Sequence, residues 1–203
     1  MITAGVLVVG AVGAGAVVGG TALVGAGAAA GTWYKHKQKQ KKLKKLDKKL
    51  QKQDAKRAQY KDMELDLLLV ECEKTDKNSQ FAQFEYGMKV QSPEESEKWL
   101  RMACAKGHCR AAYEIGLRYA DGTFPQSDDV AMEYFQCALE RGVPDAYLEL
   151  GKILIKKGDY KGAKNMYKQF IHTFPEAPNI EEAKSLLGIL YIFIFPYIFF
   201  DSK

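Results

Sequence analysis

No charged side chain precedes Lys35 in this chain of 203 residues. Other absences narrow the chemistry. Cysteine is scarce, with only Cys72, Cys104, Cys109 and Cys137. Their positions follow no framework spacing, which argues against a disulfide scaffold and fits a reducing compartment. Cys104, His108 and Cys109 form the only sulfur–imidazole cluster, and it lacks the second ligand pair of a zinc site. Neither an oxyanion loop nor a phosphate-binding glycine loop accompanies it. The glycines near the N-terminus carry no GK[ST] and follow no soluble strand, which excludes a nucleotide loop there. His172 stands alone. The acidic pairs Glu94-Glu95 and Asp128-Asp129 sit at expected helix starts, where they complement the helix dipole. These absences predict no catalytic residue, no metal and no cofactor.

What is present begins with an apolar segment from Ile2 to Thr32, made of 10 large aliphatic residues, 9 Gly, 9 Ala and 3 Thr. A bilayer core needs about 20 apolar residues in a helix. Residues 2–32 are therefore expected to be a transmembrane anchor, with the span ending near Gly25, where the large aliphatics stop. Trp33 and Tyr34 fall where an aromatic belt belongs. Small residues recur at four-residue spacing at Ala11, Gly15 and Gly19, and again at Gly27 and Gly31. That spacing would let a second helix, from another copy, approach closely. A cleaved signal peptide is the rival reading, with Ala26-Gly27-Ala28 or Ala28-Ala29-Ala30 as the cleavage site and a secreted repeat protein as product. The missing basic residue before the apolar core and the cationic block after it oppose that reading.

Residues 35–61 hold 13 Lys or Arg against Asp47 and Asp54, a net +11. The whole chain carries +5, so residues 62–203 carry −6. Positive flanks stay on the cytoplasmic side, which predicts a single-pass protein with its N-terminus outside and the remainder in the cytosol. Lys35, Lys37, Lys39, Lys41 and Lys42 are placed to meet anionic head groups. The segment 33–61 has no Pro or Gly and is rich in good helix formers, so it is expected to be a basic helical stalk. Leu43, Leu46, Leu50, Gln53, Arg57, Tyr60, Glu64 and Leu67 alternate at three- and four-residue steps, a coiled-coil stripe that is apolar only at its two ends. The block is nearly free of Arg and aromatics, and residues 62–203 are acidic. Both features argue against nucleic-acid binding.

From Phe81 onward the chain repeats itself. Trp99, Ala103, Gly107 and Ala111 recur 35 residues later as Tyr134, Ala138, Gly142 and Ala146, and Gly116 recurs as Gly151. Ala112, Ile115, Gly116 and Tyr119 share one helical face. Gly122 is expected to end that helix, and Phe124-Pro125 with Ser127-Asp128-Asp129 to make the turn and the next N-cap. No strand-like alternation appears in this region. The expected fold is all-α, with residues 62–191 forming a short superhelical array of stacked hairpins and residues 186–203 an apolar tail.

Two runs carry a resemblance. Ala112-x-x-Ile115-Gly116-x-x-Tyr119-x-x-Gly122 is followed by Asp129-x-Ala131-x-x-Tyr134-Phe135-x-x-Ala138-x-x-x-Gly142-x-x-x-Ala146. Together they resemble the Sel-one-like repeat, a relative of the tetratricopeptide repeat. The likeness covers roughly residues 81–191. It is closest over 112–146, while the unit from Leu150 through Tyr167 is nearer a plain tetratricopeptide unit. The resemblance implies an α-solenoid that binds proteins or peptides as a scaffold or adaptor, and it transfers no catalytic residues. On that basis Glu114, Arg118, Glu149 and Lys152 are the expected partner contacts on the first helices of the hairpins. The alternative, from a different class, is a structural membrane component that oligomerises through its Gly-rich helix.

Overall fold

The computed structural model describes the backbone of residues 22–200 and the side chains of residues 34–192. Among the described residues there are nine α-helices and no strand, so the fold is all-α. In chain order they are α1 (Ala22–Lys61), α2 (Leu65–Glu73), α3 (Ser79–Lys89), α4 (Pro93–Ala105), α5 (Cys109–Asp121), α6 (Asp128–Glu140), α7 (Ala146–Lys156), α8 (Tyr160–Thr173) and α9 (Ile180–Phe200).

Contacts divide the chain into two units, Met1–Lys45 and Leu46–Lys203. In the first unit the described residues are the opening part of α1. Lys35, Lys37, Lys39, Lys41 and Lys42 are exposed there. The expected packing positions Ala11, Gly15 and Gly19 lie outside the described residues. Gly27 and Gly31 fall within the backbone of α1. No helix is long and apolar enough to cross a membrane among the residues described.

The second unit is a series of helices whose extensive contacts run between chain neighbours, from α2 against α3 to α8 against α9. Local chemistry sets the boundaries. Ser92 accepts from the Glu95 amide at 3.3 Å ahead of Pro93, which joins an N-cap to proline's preset φ. Ser127 accepts from the Val130 amide at 3.3 Å, and Asp159 from the Gly162 amide at 2.8 Å. Two of the stops are alike. Gly107 and Gly142 adopt φ of 93° and 89°, left-handed backbone that a Cβ would disfavour. Their amides bond the Cys104 and Leu139 carbonyls, while the next amides, of His108 and Val143, reach back to Ala103 and Ala138. These are Schellman stops 35 residues apart.

The same hairpin contact recurs three times. Gly87, Gly116 and Gly151 lie on α3, α5 and α7, against Leu100, Phe135 and Tyr167 of α4, α6 and α8. A Cβ on Gly116 would stand 2.8 Å from the Phe135 ring, and one on Gly87 would stand 2.9 Å from Leu100. Missing side chains on one helix thus admit a bulky side chain from the next. Ala103, Ala111, Ala138 and Ala146, the alanines of the repeat, are all fully buried. The core forms three patches. One runs from Phe84 to Ile153 and includes Leu50, one joins α7, α8 and α9, and one joins α2, α3 and α4 around Leu68 and Trp99.

Candidate interaction surface

From Leu46 onward, α1 packs on other helices through part of the basic helical segment expected over residues 33–61. Leu50 is only 6 % exposed and belongs to the largest core patch. Leu46 lies where a Cβ on Gly142 would meet it at 2.8 Å. The Leu46, Leu50, Gln53, Arg57 and Tyr60 stripe read from the sequence is the face that touches the other helices. Its partners within the chain are the hairpins.

Polar contacts add to that docking. The Gln53 amide nitrogen donates to the Gly107 carbonyl at 3.1 Å, while its oxygen accepts from the Cys109 amide at 2.8 Å. The residue at the N-cap of α5, His108, supplies no side-chain cap. Gln53 thus satisfies an amide of the first turn of α5 from more than fifty residues away. Arg110 grips Asp54 through two hydrogen bonds of 2.9 and 3.1 Å, and this paired bond keeps the guanidinium above its usual range. Arg57 is ion-paired with Glu85, which is almost fully buried, and stacks over Phe84 at 4.6 Å.

Arg110, Glu114 and Arg118 follow at four-residue steps along one face of α5. Burial raises the Glu114 carboxyl above its ordinary range, opposed by the guanidiniums of Arg118, Arg57 and Arg110. Burial lowers Arg118, opposed by Glu114 and Asp121. Arg118 also donates to Ser96 and, at 3.5 Å, to the Met88 sulfur. Glu149 and Lys152 are paired on α7 at 2.9 Å, and Lys152 reaches Glu182 of α9 at 3.1 Å. The four residues expected from the sequence therefore fall into two sets. Glu114 and Arg118 are half-buried in a charged network that includes Arg57 and Arg110. Glu149 and Lys152 form a more exposed pair.

The residues of the sulfur–imidazole cluster are buried. His108 is 1 % exposed, stacked on Phe84 at 4.2 Å with Phe81 edge-on at 5.5 Å. Burial pushes its imidazole down to about 3. Burial also pushes the Cys104 and Cys109 thiols up, away from the thiolate that a nucleophile needs. No cluster of His, Cys, Asp and Glu able to hold a metal ion occurs among the described residues.

Gln53, Asp54 and Arg57 escaped the sequence reading as contacts. The stripe spacing marked Gln53 and Arg57, but nothing local named Gly107, Arg110 or Glu85 as their partners. No known protein family, curated protein or solved structure matches this chain.

Proposed function

We propose that this protein is an adaptor tethered to a membrane by its N-terminal segment, whose helical hairpins hold a protein partner on the cytosolic side. The hairpins resemble Sel-one-like repeats. The tether is residues 2–32, with the exposed lysines from Lys35 to Lys42 against anionic head groups. The partner segment lies along the first helices of the hairpins, against Glu114, Arg118, Glu149 and Lys152. It is a polar protein surface or peptide, because these four side chains offer charge of both signs. No enzymatic step and no cofactor enters the reading.

The observation that supports it best is the docking of residues 46–61. These hairpins already hold a helix, and they do so through a glutamine clip, a paired Asp–Arg bond and a stacked arginine. A surface able to read side chains on its own α1 has the chemistry to read them on another chain. The test is capture from membranes by the full chain, compared with Glu114→Lys and Lys152→Glu variants. The reading expects specific proteins that both variants lose while remaining in the membrane fraction. Identical capture by the variants, or loss on substitution of Gly15 and Gly19 alone, would favour an assembly protein over an adaptor.

A further inference from the structure

Helix α9 starts as one more hairpin helix and then departs from the pattern. Ala183 and Leu190 are buried against α7 and α8. Gly188 occupies the place of Gly87, Gly116 and Gly151, but a Cβ on it would meet nothing within 4 Å. Around it, Ile189 is 46 % exposed, Tyr191 42 % and Ile192 72 %. Successive residues of a helix are about 100° apart. Taking Ile189 as zero, Tyr191 lies at about 200° and Ile192 at about 300°. Among the described residues from Leu186 to Ile192, the covered side is that of Leu190, flanked by half-buried Leu186 and Leu187. From Leu186 to Phe200 the sequence contains no charged residue.

That geometry discriminates between occupants. A protein helix, from a second copy or another chain, covers a stripe somewhat more than about 100° wide. Such a stripe could cover the Gly188 side but would leave part of this apolar circumference in water. A lipid phase covers every side, and a helix apolar all round belongs in a core or a membrane. Charge supports the same choice. Lys164 and Lys168 of α8 stand over the Tyr191 ring, with their amines 4.1 and 5.8 Å from its centroid. Two ammonium groups beside a tyrosine inside the uncharged run from Leu186 match the border between anionic head groups and acyl chains. The nine residues from Ile192 to Phe200 reach about 13 Å, short of the roughly 30 Å hydrocarbon core, so the helix enters one leaflet and does not span.

We infer that the part of α9 beyond Leu186 docks the hairpin series onto an anionic lipid surface, with Lys164, Lys168 and Tyr191 at the head-group level. This contact is independent of the N-terminal tether.

The test uses the full chain in a Cys137→Ser background, with an environment-sensitive fluorophore on Ile192→Cys. The other three cysteines are buried. On mixed phosphatidylcholine–phosphatidylserine vesicles, emission should shift to the blue and be quenched by lipids brominated on the acyl chain. A fluorophore on Asp129→Cys, on exposed α6 surface, should stay aqueous. Neutralising both lysines (Lys164→Gln with Lys168→Gln) should weaken docking roughly 30-fold on anionic vesicles and little on neutral ones. An Ile192 label that remains aqueous on vesicles overturns the inference. So does one that becomes shielded without lipid as protein concentration rises, because a second copy then covers the face. A separate label on Tyr34→Cys reports the N-terminal tether, so failure of that reading is distinguished from failure of this one.

Discussion

Replacing His108 gives a quantitative test of the packing between α1, α3 and α5. The imidazole is sealed between two phenylalanine rings, and neither ring nitrogen has a hydrogen-bond partner among the described residues. Burial pushes its pKa down to about 3. The guanidiniums of Arg57, Arg110 and Arg141 push in the same direction, and Asp54 pushes against them. An unfolded histidine titrates near 6.5. Between these values the unfolded chain binds a proton that the folded chain refuses. The neutral ring's contribution is therefore complete above about pH 6.5 and is lost as pH falls towards 3. Each pH unit in that window costs about 1.4 kcal/mol, so going from pH 7 to pH 5 removes about 2 kcal/mol. With a urea dependence of roughly 2 kcal/mol per molar, the unfolding midpoint should fall by about 1 M. His108→Phe keeps an aromatic ring between Phe81 and Phe84 and cannot take up a proton. Other groups, including Glu114 with its raised carboxyl, titrate in both proteins and cancel in the difference. The assay is urea unfolding of the full chain in nonionic detergent at pH 7 and pH 5. Equal acid-side losses in wild type and His108→Phe would refute the sealed, neutral histidine.

Three further outcomes follow from the packing. Gly116→Ala drives a Cβ into the Phe135 ring and should cost about 1–3 kcal/mol, whereas Gly188→Ala meets open space and should stabilise by up to about 1 kcal/mol through helix propensity; thermal unfolding of the pair reads the contrast. Gln53→Ala strands the Gly107 carbonyl and the Cys109 amide and should cost about 1–3 kcal/mol, while a double-mutant cycle between Asp54 and Arg110, both about one-third exposed, should give a coupling of only about 0.5–1 kcal/mol. Burial pushes the Cys72 thiol up to about 12 and raises Cys104 and Cys109; maleimide at neutral pH should therefore modify Cys137 first and the other three only as the fold opens, as mass spectrometry of timed samples would show.

Much of the hairpin unit was legible because its signals are local. Gly122 ends α5 with left-handed backbone, and Ser127 caps α6, both at the positions their residue types suggest. The correspondence of Gly116 with Gly151 marks equivalent contacts in space, against Phe135 and Tyr167. The docking of α1 was only half legible. The three–four spacing picked the correct face from Leu46 to Tyr60, but a stripe with Gln53 and Arg57 at its centre carries no burial signal. Its hydrogen-bonding partners lie 28 to 56 residues away, beyond the reach of any periodicity. His108 shows the same limit, because its sequence neighbours give no sign that Phe81 and Phe84 enclose it. For the expected contacts, α5 spacing placed Arg118 one turn beyond Glu114, but its partners Ser96 and Met88 come from α4 and α3.

Alkaline carbonate extraction of membranes carrying the full chain tests the tether most directly. The account expects the protein to stay with the bilayer pellet, held by the uncharged segment before Lys35. Complete release of the intact chain into the aqueous supernatant would contradict it.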